Sequence, residues 1–228
     1  MERRLLYQKI KNNTSIARKA PLRLYVDTDP VSRFLWEINR CYCRIFHRFL
    51  WTKADPLPRK GPAILVCNHL SSVDPFILAA TTRRMLSFLI AEEYYHTPAF
   101  LWIFKRMRCI SVKRDQQDIA ATRKAIKALK QGKLLGIFPE GGIEKGLQDL
   151  RLGVGYLSLK YKVPVIPAFV YGTPAGYSVR KAMITPSRSH VLFGSPCLPA
   201  AGLSTKPTRE QIAEWTATIM KAVNDLSV

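Results

Sequence analysis

The chain predicts an α/β fold: a mostly parallel central sheet flanked by helices and preceded by a basic amphipathic helix. Three observations predict it. From residue 63 onward, short apolar runs of strand length alternate with helical segments. Ala63–Cys67 is apolar throughout, the pattern of a strand covered on both faces. Between Asp29 and Trp51, apolar and basic residues recur at helical spacing.

Taken in order, residues 1–28 are basic, polar and weakly periodic. Asp29-Pro30 is a helix start, an N-cap followed by proline at the first helical position. The helix is expected to run to Trp51. Arg33, Glu37, Arg40, Arg44 and Arg48 share one face, and Phe34, Leu35, Ile38, Tyr42, Ile45, Phe46 and Phe49 spread over the other. Trp36 and Trp51 fall towards the polar flank. Two placements suit such a helix. Either it packs on the domain with its arginines in water, or it lies on a membrane with its aromatic face in the headgroup boundary. Its basic character favours the membrane. Asp55–Pro62, rich in proline, reads as a linker. Two parts follow: residues 1–52, a membrane-surface segment, and residues 53–228, the α/β domain.

Within that domain the strand candidates are Ala63–Cys67, Leu86–Ala91, Cys109–Lys113, Leu134–Phe138, Val165–Tyr171 and Val191–Phe193. Asp74-Pro75 opens a helix to about Thr82. Asp118–Gln131 is a second helix, with Ile119, Ile126 and Leu129 inward, Arg123, Lys127 and Lys130 outward, and Gly132 as its stop. Thr208 and Gln211 have capping-box spacing ahead of a last helix. Ile212, Trp215, Ile219, Val223 and Leu226 form its core stripe.

The 36 lysines and arginines against 16 acids give a formal net charge of +20 over 228 residues. Residues 1–60 carry 14 basic and five acidic side chains, and residues 101–135 carry ten and two. Two such blocks favour an anionic partner, whether lipid surface, phosphorylated ligand or nucleic acid. A nucleic-acid binder would need a reading helix, an aromatic RNA-binding signature or a zinc framework, and the sequence offers none. The five cysteines, at 41, 43, 67, 109 and 197, lack metal-site spacing and read as reduced thiols without a metal. No apolar run is long enough for a transmembrane helix or a signal peptide. The expected location is peripheral, on the cytoplasmic face of a membrane.

Chemistry-bearing residues gather at three strand ends, where open α/β sheets place their ligands. Asn68-His69-Leu70-Ser71-Ser72-Val73-Asp74 follows the first strand. A loop of this length brings the Asp74 carboxylate back to the His69 imidazole, making a base for a hydroxyl near neutral pH. Read alone, Asp74 before Pro75 also suits a helix N-cap. Arg114 follows Cys109–Lys113 and suits a phosphate. Phe138-Pro139-Glu140-Gly141-Gly142 closes a third strand; its glycines permit close backbone approach to a ligand, and Glu140 can orient a hydroxyl. No G-x-S-x-G elbow is present, which argues against a serine esterase.

In this order the motifs resemble the glycerolipid acyltransferase family. Asn68, His69 and Asp74 match its NHxxxxD block. Cys109–Arg114 looks like its second block, Phe138–Gly141 like the start of FPEGTRS, Leu150–Gly153 like the stretch that follows, and Val163–Ala168 like VPIIPV. The resemblance spans about Gly61 to Gly172. It implies transfer of an acyl group from acyl-CoA or acyl carrier protein to a lysolipid hydroxyl, lysophosphatidic acid first, without a cofactor. It implies His69 as base and Asp74 as its partner. Asn68, Arg114, Glu140, Gly141, Gly142, Lys145 and Arg151 become candidate substrate-binding residues. Gly142 and Ile143 replace the family's threonine and arginine, which opens the acceptor to other lysophospholipids or aminolipids.

Overall fold

The computed structural model describes residues 29–52, 56–113, 118–139, 148–200 and 206–227. The chain runs α1 (Pro30–Phe46), β1 (Leu50–Thr52), β2 (Ala63–Cys67), α2 (Asp74–Thr81), β3 (Leu86–Ala91), α3 (Glu92–Tyr95), α4 (Pro98–Arg106) and β4 (Ile110–Val112). It continues α5 (Ile119–Lys130), β5 (Leu134–Ile137), α6 (Gln148–Tyr161), β6 (Val165–Tyr171), α7 (Val179–Ile184), β7 (His190–Phe193) and α8 (Arg209–Asn224). The sheet order is β1-β7-β6-β2-β5-β3-β4, with β6 and β7 the antiparallel pair. The five contiguous strands β6, β2, β5, β3 and β4 therefore point the same way. Their carboxyl ends form one rim.

β2 lies between β5 and β6, with Val66 beside Ile137 and Cys67 beside Ala168. This register puts the segment after β2 next to the segment after β5. Every residue of β2 is buried. Ala63, Leu65 and Cys67 join the core under α1 and α2, and Ile64 and Val66 join the core under α5, α6 and α8. Period-two alternation in a strand covered on both faces explains why its sequence is apolar throughout. The capping box at Thr208 and Gln211 forms as the sequence predicts.

Two residues of α1 depart from their expected places. Trp36 and Arg40, expected at or near the solvated face, are buried, while Phe34 is 65% and Ile45 71% exposed. The cause is a set of hydrogen bonds to α2. Trp36 Nε1 donates to Ala79 O at 2.8 Å and Asn39 Nδ2 to Phe76 O at 2.9 Å. Arg40 lies over the Trp36 ring, its Cζ 4.7 Å from the centroid. Removing a buried indole of this kind costs about 3–5 kcal/mol.

The helix also ends at Phe46 rather than continuing to Trp51. His47 caps it through its backbone, Arg48 takes a positive φ of 38°, and the chain turns to place β1 alongside β7. Residues 30–52, assigned from sequence to a separate segment, thus contribute a helix to the core and a strand to the sheet. His47 is buried in a directed network. Tyr42 Oη donates to Met183 O at 2.6 Å, so His47 Nε2–H must donate to Tyr42 Oη, at 2.8 Å. His47 Nδ1 then accepts from Ser187 Oγ at 2.8 Å.

The α3, α4, α6 and α7 helices and strand β1 were not legible as separate elements. Among the described residues no helix is long and apolar enough to cross a membrane.

Candidate active site

Asp74 occupies the first turn of α2, but its carboxylate does not cap that helix. The chain folds back after β2, and Asp74 Oδ2 accepts from Leu70 N and Ser71 N, each at 2.7 Å. The same oxygen accepts from His69 Nδ1 at 3.0 Å. Asp74 is 0% exposed, and the His69 side chain 17%. A buried carboxylate with three donors on one oxygen is held in place, and it holds the imidazole in turn. Because the carboxylate accepts, Nδ1 carries the hydrogen, and the basic lone pair resides on Nε2.

Two further contacts fix the histidine. Its ring stacks on Phe138, centroids 4.4 Å apart at 25°. Phe138 stacks in turn on Phe88, at 5.8 Å. The Phe88 ring needs the bare backbone of Gly136, where an added Cβ would sit 2.4 Å from Phe88 Cε1. Ser71 Oγ donates to Pro174 O at 2.7 Å, tying the His69 loop to the segment after β6.

Asn68 is held by the neighbouring strand. Its Nδ2 donates to Val170 O at 2.9 Å and its Oδ1 accepts from Val170 N at 2.7 Å. Both ends of the amide hydrogen-bond to β6, so this side chain ties the loop after β2 to that strand. Arg114, Glu140, Gly141, Gly142 and Lys145 lie outside the described residues. Arg151 lies within α6. A smaller polar pocket of 430 Å³ at the end of β4 is lined by Lys113, Asp118 and Lys124 among others. Phe138 is the site residue that sequence reasoning passed over. Its signal was its place at the head of the FPEG motif, beside the strand that carries His69.

His69 lines a cleft of 1020 Å³, a volume at the upper end of small-molecule sites. The walls come from α1, α2, β3, α4 and α7, and they are mainly apolar: Leu35, Phe76, Phe100, Phe104 and Met107 are typical. Ser72 also lines it, with an Oγ that is buried and unpartnered among the described residues. Burial pushes the Tyr42 phenol and the Cys109 thiol each up to about 12, so both stay protonated at neutral pH. The His69 imidazole shares this wall with them. Among the described residues no cluster of ligating side chains could hold a metal ion.

An imidazole braced by a buried carboxylate thus stands beside an apolar cleft. The acyltransferase family model matches residues 48–171, and the chain belongs to that family, an enzyme of the O-acyltransferase class. Among curated proteins it is similar to the 1-acyl-sn-glycerol-3-phosphate acyltransferase of Bacillus subtilis (strain 168). The two are 23% identical over 173 residues, covering 75% of this chain and 84% of the relative. The enzyme of the same name from Borreliella burgdorferi is 25% identical over 183 residues, covering 75% and 73%. An N-acylphosphatidylethanolamine synthase from Arabidopsis thaliana is 31% identical over 124 residues, covering 48% and 43%. The crystal structure of the 1-acyl-sn-glycerophosphate (LPA) acyltransferase PlsC from Thermotoga maritima superposes with a TM-score of 0.63 at 21% identity. It covers 86% of this chain and 81% of that one, and shares the mostly parallel α/β fold.

Proposed function

We propose that this protein transfers a fatty acyl group from a thioester, acyl-CoA or acyl carrier protein, to the free hydroxyl of a lysophospholipid. Lysophosphatidic acid is the preferred acceptor, giving phosphatidic acid. The observation that carries this reading is the His69–Asp74 pair, 3.0 Å apart, in the wall of a large apolar cleft. His69 Nε2 takes the hydroxyl proton as the oxygen attacks the thioester carbonyl. Asp74 stabilises the imidazolium that forms. The carbon–sulfur bond then breaks, and the proton passes to the departing thiolate. No covalent acyl-enzyme is required, and no cofactor beyond the thioester co-substrate. The resemblance to an N-acylphosphatidylethanolamine synthase over part of the chain keeps an aminolipid as the alternative acceptor.

α1 supports a peripheral membrane location. Its outward face carries Phe34, Ile38 and Ile45, with Arg33 and Arg44 beside them and Arg48 in the turn that follows. Apolar side chains bordered by arginines suit the headgroup boundary of an anionic leaflet. Leu35, Ile38 and Tyr42 of the same helix line the cleft, so a lipid passes from that surface towards His69. The reading places this surface on the cytoplasmic face. The test is His69→Ala with lysolipid and acyl-CoA. Thiol release is expected to vanish while the unfolding temperature holds, and retained turnover would reject the base assignment.

A further inference from the structure

The polar atoms lining the cleft are mostly spent within the protein. Asn39 Nδ2 and Tyr42 Oη donate to the carbonyls of Phe76 and Met183, and Trp36 Nε1 to that of Ala79. One stretch of wall differs. Tyr177, Ser178 and Arg180 follow Gly176, whose φ of +74° turns the chain into α7. Arg180 is exposed and also lines the cleft, so it stands at the rim. Among the described residues it is the only lysine or arginine in the lining. Among the described residues it forms no ion pair. Its neighbour Lys181 is occupied over the Tyr177 ring, its Nζ 4.5 Å from the centroid. Among the described residues the one acid in the lining is Glu93, contributed by α3.

A phosphorylated amphiphile cannot bury its charged head in an apolar cleft, so the head must stay at the rim while the tail goes in. Among the described lining residues the phosphate is attracted by one cation, Arg180, and repelled by one carboxylate, Glu93. A guanidinium suits a phosphate because it donates two parallel hydrogen bonds. We infer that Arg180 is a specificity-determining residue that binds the anionic phosphate headgroup of the acceptor at the cleft rim. The acyl chain of the acceptor then runs inward past His69. This rests on the acyl-transfer reading and adds the residue that orients the acceptor.

The test uses the full chain in neutral detergent micelles, which removes membrane charge. Arg180→Gln and Arg180→Lys are compared with the wild type on lysophosphatidic acid and on uncharged monoacylglycerol, with acyl-CoA as donor. Losing a charge-assisted contact of this kind raises the KM for lysophosphatidic acid about 10- to 100-fold in Arg180→Gln. Arg180→Lys is expected to recover part of the loss. The KM values for monoacylglycerol and for acyl-CoA stay unchanged. A KM for lysophosphatidic acid within twofold of wild type overturns the inference. So does an equal loss on both acceptors, or a loss that falls on acyl-CoA, which also carries phosphates. If the wild type turns over neither acceptor, the acyl-transfer reading fails, and equilibrium binding decides the inference separately. Tighter binding of lysophosphatidic acid than of monoacylglycerol, abolished in Arg180→Gln, upholds it; equal binding by both proteins overturns it.

Discussion

Asp74→Asn separates chemistry from architecture at this site. The carboxylate has two jobs in the structure: it accepts from Leu70 N and Ser71 N, and it accepts from His69 Nδ1. Asparagine is close to isosteric and keeps an oxygen for the two backbone donors. It lacks the negative charge. When His69 takes a proton, a full positive charge develops beside Oδ2. At a charge separation of about 4 Å and an effective dielectric of about 20, the lost attraction is about 4 kcal/mol. That corresponds to roughly a 1,000-fold fall in kcat. The acceptor KM should change little, because Asp74 is fully buried behind the histidine. Weakening the two backbone bonds costs about 1–2 kcal/mol of stability. The assay is thiol release from acyl-CoA at saturating lysolipid, with thermal unfolding alongside. A variant that loses stability but keeps kcat within about threefold would show that the carboxylate only braces the loop, and the base mechanism would fail.

Three further outcomes are expected. Gly136→Ala drives a methyl group into the Phe88 ring and costs about 1–3 kcal/mol; through the Phe88–Phe138–His69 stack it also lowers kcat, so unfolding temperature and rate should fall together. Phe34→Glu with Ile45→Glu, both on the exposed face of α1, should weaken sedimentation with anionic vesicles at least about tenfold while changing stability by under about 0.5 kcal/mol; unchanged binding would reject that face. Burial holds the His47 and His190 imidazoles below their ordinary 6.5, so between the folded and unfolded values the unfolded chain binds more protons. Stability is then complete above about 6.5 and falls as the pH drops below it. The wild-type unfolding temperature should decline from pH 7.5 to 5.5, and less steeply in His47→Gln; parallel declines would remove His47 from the account.

Local chemistry was readable where a residue's role depends on its near neighbours in the chain. Ala63–Cys67 is apolar because both faces of its strand are covered, and five residues suffice to say so. Asp29 and Thr208 cap helices through side chains that reach only three residues ahead. The His69–Asp74 pair spans five positions, so its loop closes on itself. The tie from Asn68 to β6 was not readable, since its partner Val170 is 102 residues away and only the pairing of β2 with β6 brings them together. Phe138 and Phe88 were ordinary strand residues in the sequence. Their stack beneath the imidazole exists because β5 lies between β2 and β3.

What the sequence by itself determined, then, was the alternation of strands and helices, the chemistry at their ends, and the periodicity of the longer helices. What only the tertiary structure decided was which face meets what. Helical periodicity sorts α1 into apolar and basic stripes, and burial of the apolar one is the default. Trp36 and Asn39 instead find the carbonyls of Ala79 and Phe76 on α2, so the indole goes inward and Phe34 and Ile45 face out. A stripe on a helix has no inside until a second element supplies it, and the elements that supply this one lie some forty residues further along the chain.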